Sequence, residues 1–240
     1  MQYQLLVESL GLLSLLLLFL LLLLMLWGII RGTGRSRNLS LMGFLISLFV
    51  IIGWIVVSLS RQGIITGMDW IEWGRYVDFG VRGLWLFLIF MYMALWAFPD
   101  HISEKKWILI VALILPLIYE ILMFVAFAYY PDFIEMWLAL EVITVVIYMA
   151  IVPLYATFRY TKQENVRGTP RVLWIWVTFL GVLLWFIGEF VLGISMLFQL
   201  PGYDSYFSDL GAIIMSTHTL GWLVMLLGFV FQRRAIQLST

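Results

Sequence analysis

The 240-residue sequence contains no cysteine, so disulfides, thiolate metal sites and a cysteine nucleophile are excluded at once. Charge is nearly as scarce. Asp, Glu, Lys and Arg together make up 12% of the chain against 64% hydrophobic residues, and the mean hydropathy is +1.05, far more apolar than an ordinary soluble domain and about half as charged. Basic and acidic residues are equal in number, so no excess of positive charge recommends nucleic acid as a partner. Histidine occurs only at His101 and His218. No nucleophile–base pair, metal cluster or cofactor fingerprint is visible, which argues against an enzyme.

What the sequence does have is long apolar runs. They lie at residues 5–30, 38–59, 71–98, 107–130, 133–158, 172–197 and 206–231, each near or above the roughly 20 residues that cross a hydrocarbon core. The expectation is an all-α, seven-helix transmembrane bundle occupying residues 1–240 as one domain, with no room for a soluble one. The first run has neither a basic segment ahead of it nor a small-residue cleavage site, and so reads as a retained helix, not a signal peptide. Its leucines most simply meet lipid.

Cytoplasmic loops keep an excess of lysine and arginine. Arg31, Arg35 and Arg37 follow the first span, Lys105 and Lys106 the third, Arg159, Lys162, Arg167 and Arg171 the fifth, and Arg233 and Arg234 the seventh. On the other side the loops carry Asp69, Asp132 and Asp204, with Arg61 the one basic residue. The N-terminus is therefore expected outside and the C-terminus in the cytoplasm, in a multi-pass protein of the plasma membrane. Trp27, Trp70, Trp73, Trp107, Tyr129, Tyr130 and Tyr160 fall near predicted span ends, where amphipathic rings favour the headgroup layer.

Charges inside hydrocarbon are costly, about 2.5 to 3.5 kcal/mol each at a helix centre on insertion scales, and are functional candidates by default. Arg75, Asp78 and Arg82 share one face of the third span at i, i+3, i+7. The fourth span adds Glu120, the fifth Glu141, the sixth Glu189 and the seventh His218. At about 1.5 Å rise per residue, all seven fall between the midplane and the outer face. The inner half of the third span, Leu84 to Trp96, holds no ionisable residue. An outward-facing polar pocket closed beneath by an apolar plug fits this asymmetry better than a proton path through the membrane. The alternative is a buried ion-pair network that fixes helix register and binds nothing. For His218 a hydrogen-bonded packing role is favoured over a proton switch or a three-ligand metal site with Glu141 and Glu189, and with His101 in a predicted loop a bis-histidine haem is excluded. Pro116 and Pro153 read as tolerated membrane prolines, and Gly181, Gly188 and Gly193 as points of close helix contact.

The run Trp73-Gly74-Arg75-Tyr76-Val77-Asp78-Phe79 resembles the W-x-R-Y-x-D-W signature of microbial (type 1) rhodopsins, whose aspartate is counter-ion and proton acceptor. In the sixth span Leu184-Trp185-Phe186-Ile187-Gly188 is similar to the segment beside the retinal ring, and the 162–171 linker is similar in length. The resemblance implies the same bundle, with Tyr76, Phe79, Trp185, Thr219 and Trp222 lining the ligand position. The departures matter more. Aligning Leu220-Gly221-Trp222 with the family's last helix puts the retinal-bearing lysine position at Thr219, and the chain's three lysines all lie in predicted cytoplasmic loops. A covalent retinal Schiff base inside the bundle is chemically unavailable. The family's second carboxylate falls on Met215, its proton donor on Ile89 and its Tyr-Pro on Gly181-Val182.

Three functional readings follow. One is a non-photochemical sensor, binding or interaction module whose outer pocket holds a noncovalent retinal, another isoprenoid or a lipid. The second is an ion or proton transporter using Asp78, Glu141, Glu189 and His218, with Arg82 as electrostatic gate. The third is a structural subunit of a larger complex. Partners beyond the bilayer are a second copy of the chain or another membrane protein. If the seven ionisable residues form one network, Arg82→Met strands buried negative charge and lowers stability by about 3 to 5 kcal/mol. Thermal unfolding in detergent measures this, and a melting curve identical to that of the unaltered protein would sink the network.

Overall fold

The computed structural model describes residues 4–32, 34–61, 154–164, 166–201 and 208–237, with the single positions 110, 114, 118, 121, 122, 125, 129, 139, 143 and 151. Among these residues every regular element is α-helical. Four helices are described without a break: α1 (Gln4–Arg31), α2 (Gly34–Arg61), α3 (Arg171–Leu197) and α4 (Asp209–Gln237). A further helical stretch runs over 154–161. The chain divides into two compact units, one of Met1–Leu20 with Ala126–Thr240, the other Leu21–Val125.

Among the described residues three helices are long and apolar enough to cross a membrane, Gln4–Arg31, Arg171–Ser195 and Asp209–Gln232, matching the first, sixth and seventh predicted spans. The second predicted span lies within α2. The single positions described between 110 and 129 and between 139 and 158 are helical, as expected of the fourth and fifth spans, whereas the third span, 71–98, lies outside the described residues.

Burial agrees with hydrocarbon as the solvent. In α1, Leu5, Leu12 and Ile30 are 76%, 71% and 67% exposed, and leucines along the same helix stay open on the outward face. In water each would forfeit about 1.5 to 3 kcal/mol of burial, and a patch this large marks a membrane or partner surface. Leucine and methionine also sustain the helix, being strong helix formers. Its last turn carries Arg31, whose guanidinium lies 4.9 Å from the Trp27 ring centroid, a cation–π pair at the span end where both groups favour an interface.

Local chemistry sets the ends of α3 and α4. Pro170 precedes Arg171, where a missing N–H costs nothing. At the other end Gln199 adopts φ 47°, Phe198 N donates to Ile194 O and Leu200 N donates to Ser195 O at 2.9 Å. This left-handed cap satisfies carbonyls the helix leaves over, and Pro201 follows where the helix cannot continue. The next helix opens on Ser208, whose Oγ accepts from Gly211 N at 3.2 Å, with Asp209 in the first turn. The predicted start at Tyr206 lies just outside the described residues.

Packing of α3 on α4 positions the site. A Cβ at Gly181 would come within 2.8 Å of Gly221 O and 2.5 Å of Met225 N, and one at Gly221 within 2.9 Å of Trp185 N. These are backbone atoms that cannot move aside, so the two helices touch main chain to main chain, the contact small residues permit between membrane helices. Toward the Arg171 end of α3 the seam is polar. Gln232 Nε2 donates to Thr178 Oγ1 at 2.8 Å and Trp174 O at 3.2 Å, while Trp174 stacks on Phe231 at 4.4 Å. Replacing Gly181 by alanine forces the helices apart and is expected to cost about 1 to 3 kcal/mol. Thermal unfolding of Gly181→Ala in detergent reads this directly, and an unshifted midpoint would mean that the seam tolerates separation.

Candidate functional site

The residues that could carry chemistry in α3 and α4 converge midway along their contact. Trp185 and Glu189 are one turn apart on α3, and His218 and Trp222 one turn apart on α4, so each helix aims an aromatic and a polar group at the other. His218 is 7% exposed. Its ring stacks on Trp185 with centroids 5.4 Å apart and planes at 26°, and Trp222 closes on Trp185 at 5.9 Å. From the start of α3 to Glu189 is about 27 Å, and from the start of α4 to His218 about 14 Å, which puts both inside the apolar lengths.

His218 Nε2 lies 3.3 Å from Glu189 Oε1, with the glutamate side chain 23% exposed. The contact has ion-pair distance but not hydrogen-bond alignment, and Nε2 is buried without a hydrogen-bond partner. Gly188 explains the closeness of the imidazole, since a Cβ there would fall 2.7 Å from His218 Nε2 and Cδ2. An imidazole and a carboxyl at this range can hold one proton between them. They can also present a donor–acceptor pair to the polar end of a ligand whose apolar part rests on Trp185 and Trp222.

Thr219, expected among the lining residues, is turned elsewhere. Its Oγ1 lies 2.7 Å from Ser14 Oγ of α1 and donates to the carbonyls of Met215 at 2.7 Å and Leu10 at 3.2 Å as alternatives. Both hydroxyls are buried, Ser14 completely. Thr219 thus ties α4 to the first turns of α1 while its neighbour His218 faces α3.

Of the predicted site residues, Glu189, His218, Trp185 and Trp222 come together, and Thr219 sits beside them on the α1 side. Arg75, Tyr76, Asp78, Phe79, Arg82, Glu120 and Glu141 lie outside the described residues. Two participants escaped the sequence reading. Ser14 was hidden in the leucine run, although a lone hydroxyl in such a run is itself a signal of a buried face. Gly188 was read as a packing residue, and its part in seating His218 needed the register of α4. Among the described residues no group of three His, Cys, Asp or Glu could hold a metal ion. In comparisons with known proteins, no family model, curated protein or solved structure matches the chain.

The His218–Glu189 contact is testable as a coupling. In a cycle of His218→Ala, Glu189→Gln and the double variant, the two changes are expected to be non-additive in stability by about 0.5 to 3 kcal/mol. Chemical denaturation in mixed micelles would measure it, and simple additivity would show that proximity carries no energetic link.

Proposed function

We propose that this chain is a seven-span, rhodopsin-like membrane protein without photochemistry, working as a sensor, binding or interaction module whose pocket opens on the outer side of the plasma membrane. The observation that carries the reading is the contact of Glu189 with His218, whose ring stacks on Trp185, itself in contact with Trp222. Aromatic walls with a few convergent polar groups are what a small apolar ligand with one polar end requires. Glu189, partly exposed, is the group a ligand meets first, and His218 lies behind it. Supporting the resemblance to microbial rhodopsins are the motif around Asp78 and the segment around Trp185. The lack of a lysine within the spans makes the ligand noncovalent, a retinal, another isoprenoid or a lipid. The same reading draws on Arg75, Asp78, Arg82, Glu120 and Glu141 from the sequence alone, since they lie outside the described residues.

A second reading, ion or proton transport, draws on the same pair, because intramembrane carboxylate–histidine contacts are the material of proton relays. The bare inner halves of the third, fifth and sixth spans weigh against it. Flux in liposomes that Asp78→Asn abolishes would favour transport over binding.

The deciding measurement is an absorption spectrum of the purified protein with and without all-trans retinal, followed by acid denaturation and solvent extraction. The expected result is a shifted band that extraction removes completely, and that Trp185→Ala weakens by at least about tenfold in affinity, the effect of losing roughly 1.4 kcal/mol of contact. Unshifted retinal absorbance would overturn the retinoid form of the proposal. Retinal left on the chain after extraction would contradict a noncovalent site.

A further inference from the structure

Between the fifth and sixth predicted spans the described residues 159–164 and 166–171 form a series of hydrogen-bonded turns. Lys162 N and Gln163 N donate to Arg159 O and Tyr160 O, Val166 N and Arg167 N both donate to Gln163 O, and Thr169 N donates to Val166 O. Val166 is fully buried beneath this turn. Arg171, the first residue of α3, donates from Nη2 to Tyr160 Oη at 3.1 Å and so ties the two helix ends together. Within 159–171 the sequence has four basic residues and one acid, Glu164. Arg171 is committed to the tie, whereas Arg159, Lys162 and Arg167 are exposed.

Below this corner is an apolar ledge. Ile151, Tyr155 and Phe158 follow at i, i+4 and i+7 on one helix face and are 60%, 51% and 46% exposed. Lys162 folds back so that Nζ stands 3.9 Å from the Phe158 ring centroid. This sets the ammonium beside the last ring of the ledge, as a lysine does when its stem lies along apolar surface and its charge reaches for headgroups. The surface changes from apolar to cationic between Phe158 and Arg159.

We propose that this corner retains one anionic phospholipid, with its phosphate on Lys162 and Arg167 and an acyl chain along Ile151, Tyr155 and Phe158. A zwitterionic lipid fits the ledge but gains nothing from the charge. A free anion gains from the charge but not from the ledge. The inference rests on the membrane-spanning helices and is independent of any ligand near His218.

The test is native mass spectrometry of the full chain in detergent, titrated with phosphatidylglycerol and with phosphatidylcholine. The unaltered protein should retain phosphatidylglycerol selectively. Removing a basic residue near an anionic headgroup weakens binding about fivefold, so Lys162→Gln/Arg167→Gln should weaken the tightest phosphatidylglycerol site by roughly 25-fold with phosphatidylcholine unaffected. Glu164→Gln should strengthen it. Arg31→Gln, which removes the same charge from the end of α1, should leave it unchanged. The proposal fails if the double variant retains phosphatidylglycerol like the unaltered protein, if Arg31→Gln reproduces the loss, or if millimolar inorganic phosphate displaces the lipid. The last outcome would assign the corner to free anions. All the substituted side chains are exposed, and an unchanged melting temperature confirms that each variant is folded.

Discussion

Main-chain contact between α3 and α4 at Gly181 and Gly221 is the constraint on which the site depends. Between helices in lipid no hydrophobic gain is available, because the tails outside are as apolar as leucine, so association comes from close packing and polar contacts. The glycines bring the axes near enough for both. At this separation Trp185 reaches across to stack on His218, Gly188 leaves space for the imidazole, and Gln232 meets Thr178 and the Trp174 carbonyl at the other end of the seam. A Cβ at any of these points would push apart the aromatic and polar groups that the seam brings together.

The polar groups of these helices are mostly satisfied close to home. Thr178, Ser195, Ser216 and Thr217 each donate to a carbonyl three or four residues earlier on their own helix, a bond that lets a hydroxyl sit in hydrocarbon at little cost. Ser14 and Thr219 go further and join two helices. Two nitrogens differ: Arg171 Nε at the start of α3 and, in mid-helix, His218 Nε2, which lies buried beside Glu189 without an aligned hydrogen bond. In a low-dielectric surrounding an unaligned polar group costs more than a paired one, so the contrast with the surrounding hydroxyls singles out His218 and Glu189.

Much of the helical frame was legible in the sequence because the bilayer imposes a length. Leu5–Ile30, 172–197 and 206–231 stood out as runs of apolar residues, and the corresponding helices are α1, α3 and α4. Their ends were less legible. That α2 begins at Gly34 rather than Asn38, and that α3 stops through a left-handed Gln199, depends on backbone geometry that hydropathy does not encode. In the site, Glu189 and His218 stand out by type and depth, whereas Trp185 and Trp222 enter through the resemblance to microbial rhodopsins. That Glu189 approaches His218 while Thr219 faces Ser14 was not legible, because spacing places residues on a face of their own helix and leaves open which neighbour that face meets.

The division of labour between His218 and Thr219 bears on how a ligand could be held. The proposed rhodopsin likeness aligns Thr219 with the position from which a lysine would reach a chromophore, yet the Thr219 hydroxyl is engaged by Ser14 and the Met215 carbonyl on the α1 side. A neighbouring residue on a helix points about 100° away, since 3.6 residues make a turn. His218 therefore takes the direction toward Trp185 that Thr219 does not. A molecule against Trp185 would meet the His218 imidazole and, beside it, the Glu189 carboxyl, groups that recognise by hydrogen bonding and release without breaking a covalent bond. Contacts of that kind would leave occupancy reversible, unlike a chromophore held by a covalent bond.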